Sequence, residues 1–458
     1  MDLGMTPEAA AQLAQLREDE LSQMKIRGPF LLAVAGDIGG TYPFARLQAP
    51  AVRRVLSIIS RADLAFGNME ANVTDYDTAT GQVRGLTGLR EIAADVKAQG
   101  FDMVLRANNK STTIGADKML ESNRIIAEAG LVFAGSGRNL QEARSAAYHM
   151  TPKGRVGMVG MYAYPDAAGG QVATYQVGFR GGLPGVNPVR LHEAVLVPQE
   201  DLDALRKIAL ANKELAKTLS PSDLPGLEVD TDPMSPVQLF TTTYALGERG
   251  RKRFTMLEDD ERLNLRSIRD AKEAADFVIT AIHSNESAWT IPFDFLQSEP
   301  TDFLIELAHE AIDNGADAFV ASGVHAMRGI EIYRGRPIFY GLMSYDSRIS
   351  NTPVVYDRYR DNGLNPFTTE YTESELSWKG WHPMESVVCE ASFHDGTLSE
   401  VRIYPIDFGY GLPMSQKGAP RLSTGEVAQR ILRRMQRISK PLGTHIAIQD
   451  DIGIISVG

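Results

Sequence analysis

Between Phe30 and Tyr164 short apolar runs alternate with helix-length segments, and several runs end in polar residues suited to a site. Phe30–Ala35 leads into Gly36-Asp37-Ile-Gly-Gly40, and Ala62–Phe66 into Gly67-Asn68-Met69-Glu70. Phe101–Leu105 leads into Ala107-Asn108-Asn109-Lys110, and Leu131–Ala134 into Gly135-Ser-Gly-Arg138. Arg155–Tyr164 reads as one more strand, and Val52–Ser60, Glu91–Gln99 and Lys118–Ala129 read as the intervening helices. Strand and helix in alternation predict an α/β fold with a doubly wound sheet. A polar group at the carboxyl end of a buried strand lies where open α/β sheets bind ligands. Asp37, Glu70 and Asn109 are each ordinary turn formers when taken singly. Their recurrence at successive strand ends is what points to a site.

The pattern breaks and then resumes. Thr6–Lys25, with Pro7 at the first helical position, predicts a surface helix within an N-terminal segment 1–28. Residues 165–258 are rich in Gly and Pro around a helix expected over Gln199–Thr218, and read as a large insertion between core segments 29–164 and 259–346. After a helix at Asp260–Ala275, the run Phe277–Ala281 ends in His283-Ser284-Asn285-Glu286. The helix Thr301–Asn314 leads through Gly315 to the strand Ala318–Ala321, then Ser322 and His325. Ile330–Tyr333 and Pro337–Leu342 predict a hairpin around Arg-Gly-Arg. Polar, tyrosine-rich Ser350–Ser377, within 347–380, is expected to be a lid. Residues 381–458 are expected to complete the domain as an α+β extension: a hairpin of Glu385–Phe393 and Glu400–Tyr404, a helix at Gly425–Ser439, and two short strands.

Composition narrows the function classes. A net charge of −11 over 458 residues disfavours a nucleic-acid surface, which needs clustered Lys and Arg. Cys389 is the single cysteine, so neither an intrachain disulfide nor a cysteine-based zinc site is available. No basic-then-apolar leader is visible, and the longest apolar runs are too short to span a bilayer. The expectation is a cytoplasmic protein with no membrane and no nucleic-acid partner, acting on a small-molecule or acidic substrate.

The strand-end residues Asp37, Glu70, Asn109, His283 and His325 mix hard oxygens with imidazoles, a donor set suited to manganese, iron or zinc. In order along the chain, Gly36-Asp37, Phe66-Gly-Asn-Met-Glu70, Ala107-Asn108-Asn109, Ala134-Gly-Ser-Gly137, the strand ending in His283, His325 with Gly329-Ile-Glu-Ile-Tyr333, and Pro337-Ile-Phe-Tyr340 resemble the CapA (poly-γ-glutamate capsule synthesis) proteins. These are a branch of the calcineurin-like metallophosphoesterase superfamily. The resemblance implies a metallophosphoesterase-like layered sheet core flanked by helices, and a metal site. The departures are specific. The family's Asn-Asn-His becomes Asn108-Asn109-Lys110, its G-x-H-P-H becomes Ala321-Ser322-Gly323-Val324-His325, and its L-G-N-F becomes Leu342-Met343-Ser344-Tyr345.

Three readings follow. In the first, Lys110, His283, His325, Asp37 and Glu70 form a metal-free acid–base set for elimination, addition or cyclisation of a biosynthetic intermediate. Asn109, Ser322, Asn285, Glu286 and Tyr345 then contact the substrate. In the second, Asp37, Glu70, Asn109, His283 and His325 retain a single divalent metal (Mn, Fe or Zn) and hydrolyse a phosphate or amide bond. In the third, the chain is a non-catalytic factor in capsule or polyglutamate synthesis.

Overall fold

In the computed structural model the described residues are 24–40, 43–75, 87–164, 171–219, 230–290, 298–346, 385–409, 412 and 418–457. The lid expected over Ser350–Ser377 lies outside them, as does the helix expected over Thr6–Lys25 apart from Met24 and Lys25, which are not helical.

Two mixed sheets pack face to face. The first runs Ala447–Gln449, Ile452–Ser456, Thr397–Asp407, Glu385–His394, Pro29–Ile38, Leu64–Met69, Met103–Leu105, Val132–Ala134. Its last four strands are parallel, and the C-terminal strands add to it antiparallel, starting with Glu385–His394 against Pro29–Ile38. The second runs Val237–Leu239, Thr242–Leu246, Pro188–Val197, Gly154–Tyr164, Phe277–His283, Ala318–Ser322, Arg336–Phe339, Ile330–Tyr333. Gly154–Tyr164, Phe277–His283 and Ala318–Ser322 are parallel neighbours there.

Side-chain alternation explains the layering. Leu32, Val34, Leu64, Phe66, Met103 and Leu105 point to the second sheet and meet Val156, Met158, Ile279 and Val320 in one core. Ala33, Ala35 and Val104 point the other way, against Val52, Val55, Ile59, Val96 and Ile125 of the helices Pro50–Ser60, Glu91–Ala98 and Ala116–Glu128. On the far side Val278, Ile282 and Phe319 meet Ile268, Phe303 and Leu307 of the helices Glu258–Ala274 and Asp302–Asp313. The order is helix, sheet, sheet, helix. This corrects the expectation of one doubly wound sheet, in which helices cover both faces. Here the inner face of each sheet is covered by the other sheet. A strand buried on both faces is apolar throughout in either arrangement, so its sequence does not distinguish them.

The segment 165–258 contributes to this frame. Pro188–Val197 joins Gly154–Tyr164 in parallel at Pro188–Arg190 and carries Lys252–Met256 on its antiparallel side. Phe393 of the C-terminal hairpin seals one end of the inter-sheet core against Phe277, ring centroids 5.0 Å apart. The parallel strands of both sheets direct their carboxyl ends to one region, and the predicted polar residues converge there.

Candidate functional site

Asp37 lies one residue before the end of its strand, and Asn68 is its register partner on the next strand, two residues before Glu70. His283 and Ser322 are the last residues of two paired strands of the second sheet and stand opposite each other in register. A turn then carries Gly323 and His325. One ligand atom from each of Asp37, Glu70 and His325 lies within 4.8 Å of the others. Asp37 Oδ2 is 3.6 Å from His325 Nδ1, and His283 Nε2 is 4.0 Å from Glu70 Oε1. Asp37 and Glu70 are buried, while His325 is partly exposed.

The backbone presenting these groups is tightly constrained. The Asp37 amide donates to the Met343 carbonyl at 3.0 Å, and the Tyr345 amide donates to the Asp37 carbonyl at 2.8 Å. A Cβ at position 36 would collide with the Met343 carbonyl, so glycine is required before Asp37. His325 has φ +50°, a left-handed conformation costing roughly 1–3 kcal/mol for a non-glycine residue. Such strain is seen where the fold holds a side chain in place for a task.

Asn68 connects the two sheets at the site. Its Nδ2 donates to Asp37 Oδ1 at 2.7 Å and meets His283 Nδ1 at 3.0 Å, while its Oδ1 accepts from Asn108 Nδ2 at 3.0 Å. The orientation of Asn108 is fixed in turn. Its Oδ1 accepts from the amides of Lys110 and Ser111, and its Nδ2 also donates to the Met69 carbonyl. With both amides oriented, His283 Nδ1 is the acceptor, which leaves Nε2, on the side of Glu70, as the ring nitrogen that carries a proton. His283 is thereby set up as a donor.

Gly323 explains how His283 fits. At φ +102° its missing side chain leaves room for the His283 ring, since a Cβ there would stand 2.8 Å from both Cε1 and Nε2. The space of a side chain at 323 is occupied by His283.

Burial raises the Asp37 pKa above the ordinary carboxylate value, and His325 and the Asn68 amide only partly oppose it. Ser322 and the Gly323 amide weigh weakly, and Asp37 Oδ2 makes no hydrogen bond of good geometry among the described residues. Asn109 Oδ1 and Ser322 Oγ are likewise buried without a hydrogen-bond partner among them. Two carboxylate oxygens and an imidazole nitrogen suit a single manganese, iron or zinc ion. Lys110 is half-buried in the turn after Asn109, and its ammonium is not paired with the carboxylates of the site.

Tyr345 is wholly buried, its ring edge-on to Phe101 at 5.0 Å, so it supports Asp37 from behind. Glu286 accepts from Ser284 Oγ at 2.6 Å, and its carbonyl accepts from the buried Arg328 at 2.6 Å. Asn285, between Ser284 and Glu286, is half-buried. Asn68, Asn108 and Arg106 were not singled out by sequence. The available signal for Asn68 was its spacing of two from Glu70, which puts both on one face of a strand end.

The "Bacterial capsule synthesis protein PGA_cap" family matches residues 31–343. Two relatives from Sinorhizobium fredii, "Uncharacterized protein y4sH" and "Uncharacterized protein y4uA", are each 34% identical over 457 residues, covering 93% of this chain and 93% of their own. "Capsule biosynthesis protein CapA" of Bacillus anthracis is 23% identical, covering 76% of this chain and 66% of its own. Among solved structures, a hypothetical protein from Thermus thermophilus aligns at TM-score 0.39 with 12% identity, over 82% of this chain and 99% of its own. A putative 5'-nucleotidase from Staphylococcus aureus aligns at 0.34 with 8% identity, over 89% of this chain and 58% of its own.

Proposed function

This chain belongs to the bacterial capsule synthesis protein family, and on that scaffold we propose a hydrolase that uses one divalent metal ion to cleave a phosphate-ester or amide bond. Asp37, Glu70 and His325 would hold the ion. When bound, it would polarise the phosphoryl or carbonyl oxygen of the substrate. His283, its Nδ1 occupied by Asn68, would donate the Nε2 proton to the leaving group. Asn109 Oδ1 and Ser322 Oγ would orient the substrate by hydrogen bonds. The family's capsule synthesis name, and the relative named for capsule biosynthesis, make an acidic, amide-linked polymer or its precursor the substrate class to try first.

One observation carries this reading: two buried carboxylates and an imidazole bring one ligand atom each to within 4.8 Å of the others, and Asp37 Oδ2 is buried there with no hydrogen bond of good geometry among the described residues. Leaving a buried carboxylate oxygen uncompensated is costly, and a cation at this point removes the cost. The test is elemental analysis and manganese titration of purified protein, with hydrolysis of an aryl phosphate and of a γ-glutamyl amide measured in parallel. About one equivalent of ion is expected, lost in Asp37→Asn and His325→Ala proteins together with hydrolysis. Wild-type protein that takes up no ion at millimolar manganese would overturn it.

A second reading is metal-free acid–base catalysis of elimination, addition or cyclisation, with Lys110 as the base. It is favoured by the half-buried Lys110, which has no ion pair among the described residues. Activity resistant to chelation and abolished by Lys110→Ala would select it.

A further inference from the structure

Arg106 is wholly buried just beyond the strand Met103–Leu105, and among the described residues every partner of its guanidinium is neutral. Nη1 donates to the carbonyls of Met69 at 2.8 Å and Ala71 at 3.0 Å. Nη2 donates to Asn72 Oδ1 at 2.8 Å and, at 3.4 Å, to Ser122 Oγ. Nε donates to Asn123 Oδ1 at 3.3 Å. With no carboxylate partner among the described residues to oppose it, burial pulls the pKa down to about 9. Burying a charge without a counter-ion costs several kcal/mol, and an apolar side chain of similar length would avoid that cost. The planar guanidinium holds the Met69 and Ala71 carbonyls from Nη1 while Nη2 and Nε hold Asn72 and Asn123, a spread of acceptors that neither an apolar chain nor the single nitrogen of a lysine reproduces.

The two gripped carbonyls belong to the residues on either side of Glu70. Asn72, held by the same guanidinium, passes its Nδ2 to the Lys110 carbonyl at 2.6 Å. One side chain therefore ties the turn that presents Glu70 to the turn that presents Asn109. We infer that Arg106 is a positioning residue for the ion site, its guanidinium holding the carbonyls of Met69 and Ala71 on either side of Glu70, and Asn72 beyond them, so that the carboxylate meets Asp37 and His325. This rests on the one-ion reading above, and it concerns Arg106 as a brace and not as a counter-charge.

The two roles separate in a conservative variant. Arg106→Lys keeps the charge and loses the fork, while Arg106→Met loses both. Full-length proteins stripped with chelator would be titrated with manganese by calorimetry, and unfolding of the metal-free forms followed by circular dichroism. Loss of a support behind a metal ligand weakens affinity by roughly 10–100-fold, and both variants are expected in that range, with lysine giving no rescue. Should neither variant fold, Asn72→Ala removes one acceptor of the fork and the tether to Lys110, and is expected to weaken manganese binding severalfold. Wild-type affinity in Arg106→Lys overturns the inference, as does wild-type affinity in Asn72→Ala. Wild-type protein that binds no manganese overturns the one-ion reading and this inference with it. Wild-type binding with unaltered variants overturns this inference alone.

Discussion

Gly323→His installs the family's histidine at the position where this chain lacks it, and its consequences can be worked from the site. The backbone at 323 has φ +102°, outside the range an L side chain readily adopts, at roughly 1–3 kcal/mol. The new Cβ would stand 2.8 Å from His283 Cε1 and Nε2 and 2.9 Å from Cδ2. Ordinary carbon contacts begin near about 3.5 Å, so the ring must retreat by about 0.7 Å. It has nowhere to retreat freely, because its Nδ1 meets Asn68 at 3.0 Å and the residue is wholly buried. Breaking that bond removes the buried hydrogen-bond partner of His283 Nδ1, at roughly 1–3 kcal/mol. Together these predict a loss of about 2–6 kcal/mol, a large share of the stability of an ordinary domain. The assay is urea unfolding of wild type, Gly323→Ala and Gly323→His, with elemental analysis of each protein after manganese loading. Gly323→Ala should already show most of the loss, since the backbone and Cβ terms are common to both. Gly323→His should gain no second equivalent of metal. Wild-type stability in Gly323→His, accompanied by a second bound ion, would refute the reasoning.

Two further outcomes follow from the same structure. Asn68→Ala removes the donor shared by Asp37 and His283; hydrolysis is expected to fall by roughly tenfold or more, and the pH profile of kcat should change because His283 Nδ1, no longer held as an acceptor, is open to protonation. An unaltered profile would argue against that role for Asn68. Glu310 titrates at about 7, raised first by burial and then by Glu261 and Glu306. Its folded form therefore holds a proton between the unfolded value of about 4.3 and about 7, and that stability, fully present below the unfolded value, is lost as pH rises through the folded one. Glu310→Gln should flatten the decline of the urea midpoint between about pH 4.5 and 7.5, and identical slopes in the two proteins would exclude this assignment.

Much of the frame was legible because helix and strand periods are written in the sequence. The helix Gly425–Ser439 falls where its apolar spacing put it, with Ala428, Ile431, Leu432 and Met435 buried. The hairpin around Arg334-Gly335 and the strand ending in Ser322 likewise lie where they were expected. Pro188–Val197 was not legible as a strand. It opens with proline and carries two adjacent exposed residues, His192 and Glu193, so strict alternation fails, and its pairing is settled by neighbours far along the chain. The second sheet was hidden for a different reason. Phe30–Ala35 and Phe277–Ala281 are apolar on both faces, and sequence does not record whether a helix or another sheet supplies the cover.

The site shows the same limit at closer range. Asp37, Glu70, His283 and His325 are residue types with few roles at the end of a buried strand, and the structure brings them close together. Asn68, Asn108 and Arg106, which orient them, are types that turns and surfaces use freely, and nothing in a linear sequence says that they are buried. Gly323 is the instructive case. A glycine where a relative has a ligand reads as a lost ligand, but a glycine also permits close approach. Here the approach is by the His283 ring, whose Nδ1 is already engaged by Asn68. The substitution at 323 and the orientation of His283 are two sides of one packing solution. Reversing the first without releasing the second would leave two imidazoles competing for one space.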